Sequence, residues 1–540
     1  MSNLEHINRA YSLAVDKYKK KKYNEVIKNC KEILKKTKSG EFFHILGMAL
    51  YRMGNLEESI YYLNQAIKSR PNNYNYYLDL GDIHRVKKSY QVALQNYAEV
   101  LRINPENEKA YFSLGHTFYS MKNFSSALKM GISAASLNKN NIEYKLFISK
   151  CLEDLYEFNE ALKIYDEILL DNSKNTPVLL AKSELLRKTF KYKEALEISN
   201  FALELDKYNV NCYLMMSTIL RDMKKINEAI ECLNEGLKIK PNSTQALFNK
   251  GVMLLQIGDF QQGWKLYESR WQLKDIVDTT LITKNPWWKG EKESNLLIWS
   301  EQGIGDEVMF SSMFNEIKKD VNKLTIKVDR RLIPIFERSF PDIKFIKIQD
   351  VLDDIKFSHH LPMGSLAQFY RKDRSDFENK NHAYLKENID LKNKFSTYFD
   401  KSENRKYIGI SWKSTSPISG LKRSATLEDL IRYIGDEDAI YVNLQYGDVN
   451  QEICEVEKNM GIKIINIIEN DNKNNIEGLF SIISNCDEVI SIDNSTVHFA
   501  GSIGKKTEVL LHESADFRWE IDSQNTNWYQ SLRLTRDIII

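Results

Sequence analysis

The stretch Tyr77 to Pro105, YLDLGDIHRVKKSYQVALQNYAEVLRINP, carries a glycine at 81, an alanine twelve positions later at 93, and a proline at 105. Steps of 34 positions in either direction meet small residues at the first two places again. Gly47, Gly81, Gly115, Ser149, Ser183, Ser217 and Gly251 form one register, and Ser59, Ala93, Ala127, Ala161, Ala195, Ala229 and Gly263 form a second. Pro71, Pro105 and Pro241 share a third. Two short antiparallel helices cross closely only where side chains are small, and a proline closes each pair. Phe43, Tyr77, Tyr111 and Tyr213 stand four positions before the first small site and fill the space beside it.

This period, with its small, aromatic and proline positions, resembles the tetratricopeptide repeat, a 34-residue helix-turn-helix unit. A degenerate first unit, with Ala14 and Val26 in the two registers, stands one residue closer to the next. The resemblance spans about residues 7–270 and implies an α-solenoid with a concave groove. Asn64, Asn96, Tyr97 and Asn200 are candidate groove residues for an extended peptide; the competing assignment is ordinary solvated or inter-repeat positions.

The whole chain, 540 residues, is too long for one core and suggests about three or four units. A net charge of +2 gives no global field that favours nucleic acid or an anionic membrane. The 42% hydrophobic and 28% charged fractions describe a folded protein. Residues 1–22 lack the apolar core of a secretory signal, and no run approaches a membrane span, so a cytoplasmic protein without a membrane segment is expected. The six cysteines form no C-x-x-C pair, which disfavours a zinc site and makes buried free thiols the expectation.

From Ser294 onward apolar runs alternate with helical spacing. Strands are expected at residues 295–300, 324–328, 343–348, 407–412, 440–444, 463–467, 488–492 and 507–511, with a helix over 307–319. That alternation argues for parallel α/β sheets in two lobes, hinged over Lys392 to Arg405. Ligands collect at the carboxyl ends of such strands. Three loops there are informative. Glu301-Gln-Gly-Ile-Gly-Asp-Glu307 offers Gly303 and Gly305 for a tight turn and Asp306 at a helix start. Lys413 to Ser424 is polar and holds Lys413, Lys422, Arg423 and Ser424. Ile492-Asp-Asn-Ser-Thr-Val-His-Phe499 leads a strand into a helix, so Asp493, Asn494, Ser495 and Thr496 lie at its amino end, with His498 in the first turn. A helix amino end attracts anions, and the basic loop adds cations suited to a diphosphate. The plain alternative for Asp493 and Ser495 is helix capping.

Taken in order, Leu297-Ile-Trp-Ser-Glu-Gln-Gly-Ile-Gly-Asp306, Ile408-Gly-Ile-Ser-Trp-Lys413, Lys422-Arg-Ser424, Asn443-Leu-Gln445, Ser491 to Gly501 and Trp528-Tyr-Gln-Ser-Leu-Arg533 resemble the glycosyltransferase domain that follows tetratricopeptide arrays in many bacterial proteins. The likeness extends to heptosyltransferases and, more distantly, to O-GlcNAc transferases. Gly263 to Trp271 and Pro286 to Gly290 match the junction of such proteins. The resemblance implies an α plus α/β chain: a tetratricopeptide solenoid (1–270), a junction (271–294), and two Rossmann-like lobes of B-type glycosyltransferase architecture, the acceptor side (295–400) and the nucleotide-sugar side (401–540). It implies a nucleotide-sugar donor, no metal or other cofactor, and Asp306 as the base that deprotonates the acceptor hydroxyl. His512 to Trp519 departs from the apolar, proline-containing loop of relatives.

Other signals carry less. Gly501-Ser-Ile-Gly-Lys-Lys-Thr507 has two residues between its glycines where a P-loop needs four. Asp436-Glu-Asp438 precedes its strand and reads as a cap or turn, His359-His360 as a loop, and Trp287, Trp288, Trp412, Trp519 and Trp528 as core. The functional expectation is therefore a metal-independent glycosyltransferase whose array recruits a protein acceptor or partner. The alternative is a non-catalytic interaction scaffold with a degenerate transferase domain.

Overall fold

A computed structural model describes residues 3–277, 280–378, 383–400, 402, 405–414, 423–436, 438–511, 516–521 and 523–536. The chain forms two compact units, residues 1–206 and 207–540. Six helix pairs, from Asn3–Lys19 with Tyr23–Leu34 to Thr176–Lys188 with Tyr192–Leu205, make up the first. Two more, Val210–Asp222 with Ile226–Ile239 and Thr244–Gln256 with Phe260–Tyr267, open the second. The periodic region read over 1–270 and the compact units are thus different divisions of the chain.

Both small-residue registers are buried throughout. Their spacing brings the two helices of a pair into backbone contact: Ser59 Oγ donates to Gly47 O at 2.7 Å, and Ser183 Oγ to Ala195 O at 2.8 Å. At Gly251 a Cβ atom would stand 2.7 Å from Tyr267 N and 2.9 Å from Leu266 C, so only glycine fits there. Two further registers, not apparent from the small residues, fix the turns. Asn73, Asn107, Asn141, Asn175 and Asn209 each cap the following helix through a side-chain oxygen. The turn within each pair passes through a left-handed residue, Gly54 or Gly258 at two of them but Lys21, Lys88, Lys122, Tyr156, Phe190 and Lys224 at the others.

In the second unit, strands β1 (Asn295–Trp299), β2 (Lys323–Val328), β3 (Lys344–Lys347) and β4 (His359–Pro362) form a parallel sheet of order 3-2-1-4. Strands β5 (Tyr407–Ser411), β6 (Ile440–Asn443), β7 (Ile464–Ile465), β8 (Glu488–Ile492), β9 (Thr507–Leu510) and β10 (Leu532–Thr535) form a second, of order 10-9-8-5-6-7, also parallel. Burial on both faces explains why the strands read as unbroken apolar runs.

Several local expectations are corrected. His359-His360 is not a loop: it opens β4, where His360 is buried and its Nδ1 accepts from Trp299 Nε1 at 3.1 Å. The helix expected over 307–319 is two, Ile304–Ser311 and Phe314–Asp320. The expected hinge begins inside the helix Ile389–Ser396. Cys30, Cys151, Cys212 and Cys486 are buried, but Cys232 is half-buried and Cys454 exposed. Asp436 does turn the chain, accepting from Asp438 N at 3.2 Å. Of the proposed groove residues, Tyr97 is unavailable: it is fully buried and donates to Asp82 at 2.8 Å. Asn64 and Asn96 spend their amide groups on the carbonyls of Ile60 and Val92.

The largest core of the second unit runs from Leu255 to Leu534 and includes residues of the final repeat and of both sheets. Trp264 lies at its centre, ringed edge-on by Tyr267, Phe310, Phe517 and Trp528, its Nε1 donating to Arg371 O at 2.8 Å. Beside it, Arg270, 2% exposed, donates to Glu301 at 2.9 Å and to Ser365 at 3.0 Å, with Glu268 at 2.5 Å. Its guanidinium is sandwiched by Tyr267 and Trp271, 4.3 and 4.6 Å from their ring centres. Among the described residues no helix is long and apolar enough to cross a membrane.

Candidate functional site

The loops after β1 and β8 meet. Each strand runs into an eight-residue helix, Ile304–Ser311 and Ser495–Ser502, and the helices touch near their amino ends. Gly305 permits the contact, because a Cβ there would lie 2.8 Å from His498 Cδ2. Close approach is thus the reason for this glycine. Neither it nor Gly303 takes a left-handed conformation, so the expected tight glycine turn is replaced by an ordinary extended residue before a helix.

Asp306 caps its own helix, one carboxylate oxygen accepting from Gly303 N at 3.2 Å. The other, Oδ1, accepts from Arg518 Nε at 2.8 Å and from Nη2 of the same guanidinium. Arg518 continues to Asp516 at 2.5 Å, Asp516 lies 3.4 Å from Arg423, and Arg423 lies 3.2 Å from Asp493. Five charged groups from four loops form one chain. Burial drives the Asp493 carboxyl upward from the usual range, with Arg423 pulling the other way. For Asp516 burial also pushes upward, but Arg518 and Arg423 outweigh it and hold the carboxyl low. Burial depresses His498 to about 3, and Arg518 adds to the effect, so its imidazole is neutral at physiological pH. The ring stacks on Trp519, 5.5 Å between centres, and shares a 2.9 Å hydrogen bond with Tyr529.

The expected anion-binding helix end is partly self-satisfied. Asn494 caps it by accepting from Thr496 N at 2.9 Å, and its Nδ2 donates to Ser411 Oγ at 2.7 Å, tying the helix to the end of β5. Thr496 is buried; Ser495 reaches the surface. Gln445 holds the start of the basic loop, its Oε1 accepting from Trp412 N and Lys413 N at 2.9 and 2.8 Å. Lys413 pairs with Glu452 at 2.6 Å, and Ser424 accepts from Ser414 N at 3.0 Å. Lys422 lies outside the described residues. The structure therefore gathers Gly305, Asp306, Arg423, Asp493 and His498, and gives Lys413 and Ser424 local partners.

Asp516 and Arg518 are not among the expected site residues, Trp519 is expected as core, and Tyr529 enters only within a family motif. The signal was present: Asp516-Phe-Arg518 follows β9, and residues after strand ends were the ones to search.

Glu307, next to Asp306, is 3% exposed and accepts from Ser300 Oγ at 2.7 Å and from Asp329 N at 2.9 Å. Burial nevertheless pushes its carboxyl up to about 7. A folded-state value above the unfolded one means the native chain holds the proton more tightly. This stability is complete below about pH 4.5 and is lost as pH rises through 7. Glu307→Gln keeps the shape without the charge, its oxygen accepting from Asp329 N and its NH2 donating to a Ser300 hydroxyl that turns to accept. Thermal melting at pH 9 should show the variant more stable, by about 3 kcal/mol at most, with the gap closing at pH 5. An equal gap at both pH values would contradict this account.

Sequence comparison agrees with the periodic half. The tetratricopeptide repeat family matches residues 46–108 and again 210–243. The N-terminal helix pairs are tetratricopeptide repeats. Protein FlbA of Caulobacter vibrioides is 25% identical over 305 residues, 53% of this chain and 51% of FlbA, so the chain spans about half the length of this curated relative. Among solved structures, YrrB, a repeat protein with an unusual peptide-binding site, is 18% identical and matches 35% of this chain and 97% of its own, with a TM-score of 0.28. Yeast Tom70 is 19% identical and matches 47% and 56%, with a TM-score of 0.38.

Proposed function

We propose that this chain is a glycosyltransferase that moves a sugar from a nucleotide-sugar donor to a hydroxyl, and that its tetratricopeptide repeats recruit the protein that carries the hydroxyl. The reading takes the two parallel sheets as the Rossmann-like lobes of a B-type transferase. One observation carries it: Asp306, at the helix start after β1, faces the helix start after β8 across two half-buried arginines. That arrangement suits the chemistry. The acceptor oxygen attacks the anomeric carbon, its proton passes to the Asp306 carboxylate, and the bond from that carbon to the diphosphate oxygen breaks with its electron pair leaving on phosphate. Preorganised guanidinium groups and a helix amino end stabilise the departing charge. Tetratricopeptide arrays suit extended polypeptide because stacked repeats present a long recognition surface.

Calorimetry of the full chain against UDP, GDP, ADP and dTDP tests the donor site. Binding of one nucleoside diphosphate, with transfer or slow hydrolysis of the matching nucleotide-sugar, is expected. No binding of any would leave an interaction scaffold as the function, a reading that the mutual pairing of the cluster's charges also accommodates.

A further inference from the structure

Arg518 is the best-connected cation of the cluster. Its side chain is 13% exposed and rests over the Phe517 ring, 4.8 Å from guanidinium carbon to ring centre. Nε and Nη2 both serve Asp306 Oδ1, and Nη1 serves Asp516. Three carboxylates, those of Asp306, Asp493 and Asp516, share the guanidinium groups of Arg423 and Arg518, so the cluster carries an excess of one negative charge. His498, packed against Trp519, contributes no compensating cation. A doubly charged phosphate entering such a group competes with its carboxylates for the arginines.

We propose that Arg518 makes that exchange: it leaves Asp306 for the donor's diphosphate, so that donor arrival releases the base. This rests on the transferase reading and adds an order of events to it. The geometry favours Arg518 for the role. A guanidinium fork matches phosphate oxygens as well as carboxylate oxygens, so the switch exchanges one two-pronged partner for another. The grip on Asp306 Oδ1 by two N–H groups occupies both lone pairs of that oxygen, and Oδ2 keeps one lone pair beside the bond from Gly303 N. As the structure stands, Asp306 is chiefly a partner of Arg518, and release by Arg518 frees the oxygen that the guanidinium holds. The acceptor is activated only after the donor is seated, which protects the chain from deprotonating a hydroxyl with nothing to transfer. Arg518 is a positioning residue toward Asp306 and a binding residue toward the diphosphate.

The exchange predicts opposite signs for two neighbouring substitutions. Removing the competing carboxylate by Asp306→Asn should tighten binding of the preferred nucleoside diphosphate by about two- to tenfold. Arg518→Met should weaken it roughly 10- to 100-fold, and Arg518→Lys should fall between, since it keeps the charge but loses the fork. The double variant decides the matter. If Asp306 acts by withholding Arg518, Asp306→Asn gives little or no gain once Arg518 is methionine. The unaltered chain and all four variants are compared by calorimetry with the nucleoside diphosphate that the unaltered chain binds, after melting curves establish that each is folded. Equal tightening with and without Arg518 would mean simple charge repulsion and overturn the inference, as would unchanged affinity in Arg518→Met. Failure of the unaltered chain to bind any of the four would instead remove the transferase reading, and the exchange with it.

Discussion

On the proposed transfer chemistry, Asp306→Asn should leave a chain that binds its donor and transfers the sugar about 10²- to 10⁴-fold more slowly. Asparagine has the shape to keep the 3.2 Å cap to Gly303 N, so the helix start and its contact with His498 survive. What it lacks is a site of sufficient basicity for the acceptor proton. The loss should therefore appear in kcat at saturating donor and not in donor affinity. Initial rates with a labelled nucleotide-sugar measure it. A loss below about tenfold would reduce Asp306 to a cap and Arg518 partner.

The second large effect lies away from the chemistry. Arg270→Met should destabilise the chain by about 3–5 kcal/mol, because it strands Glu301, 3% exposed, without its cation. Methionine fills the sandwich between Tyr267 and Trp271 but neutralises nothing. Glu301 would retain the N–H of Gly364, at 2.9 Å, and a long 3.5 Å bond from Gln302 Nε2, neither of which carries a counter-charge. Adding Glu301→Gln should recover more than half of the loss, since an amide needs no counter-charge. Denaturant unfolding of the two variants measures both numbers, and a single-variant cost under about 1 kcal/mol would contradict the view that this pair anchors the loop leading to Asp306.

The repeat half was legible because one physical requirement, close helix crossing, recurs every 34 residues and leaves small side chains in register. The asparagine caps recur as regularly, yet a helix start tolerates several residue types, so Ser39 and Ser243 interrupt the register and hide it. Buried parallel strands were legible as apolar runs, all but the short β4 and β10, whose polar members His359 and Arg533 break the pattern. At the candidate site, loop chemistry at strand ends singled out Asp306, Asp493 and Arg423, which the fold brings into one cluster. It said nothing about pairing across 212 positions, the separation of Asp306 from Arg518. Such a pairing depends on how two sheets sit in one core, and no local spacing encodes that.

The indole of Trp264 has a practical consequence for anyone shortening this protein. A chain begun at Asn295 would keep every strand but open a hole bordered by Phe310, Phe517 and Trp528, with Arg371 O deprived of its donor. Water would enter beside the very loop that carries Arg518. The last repeats are a keystone of the sheet-bearing half, and removing them should damage the part left behind more than the part cut away.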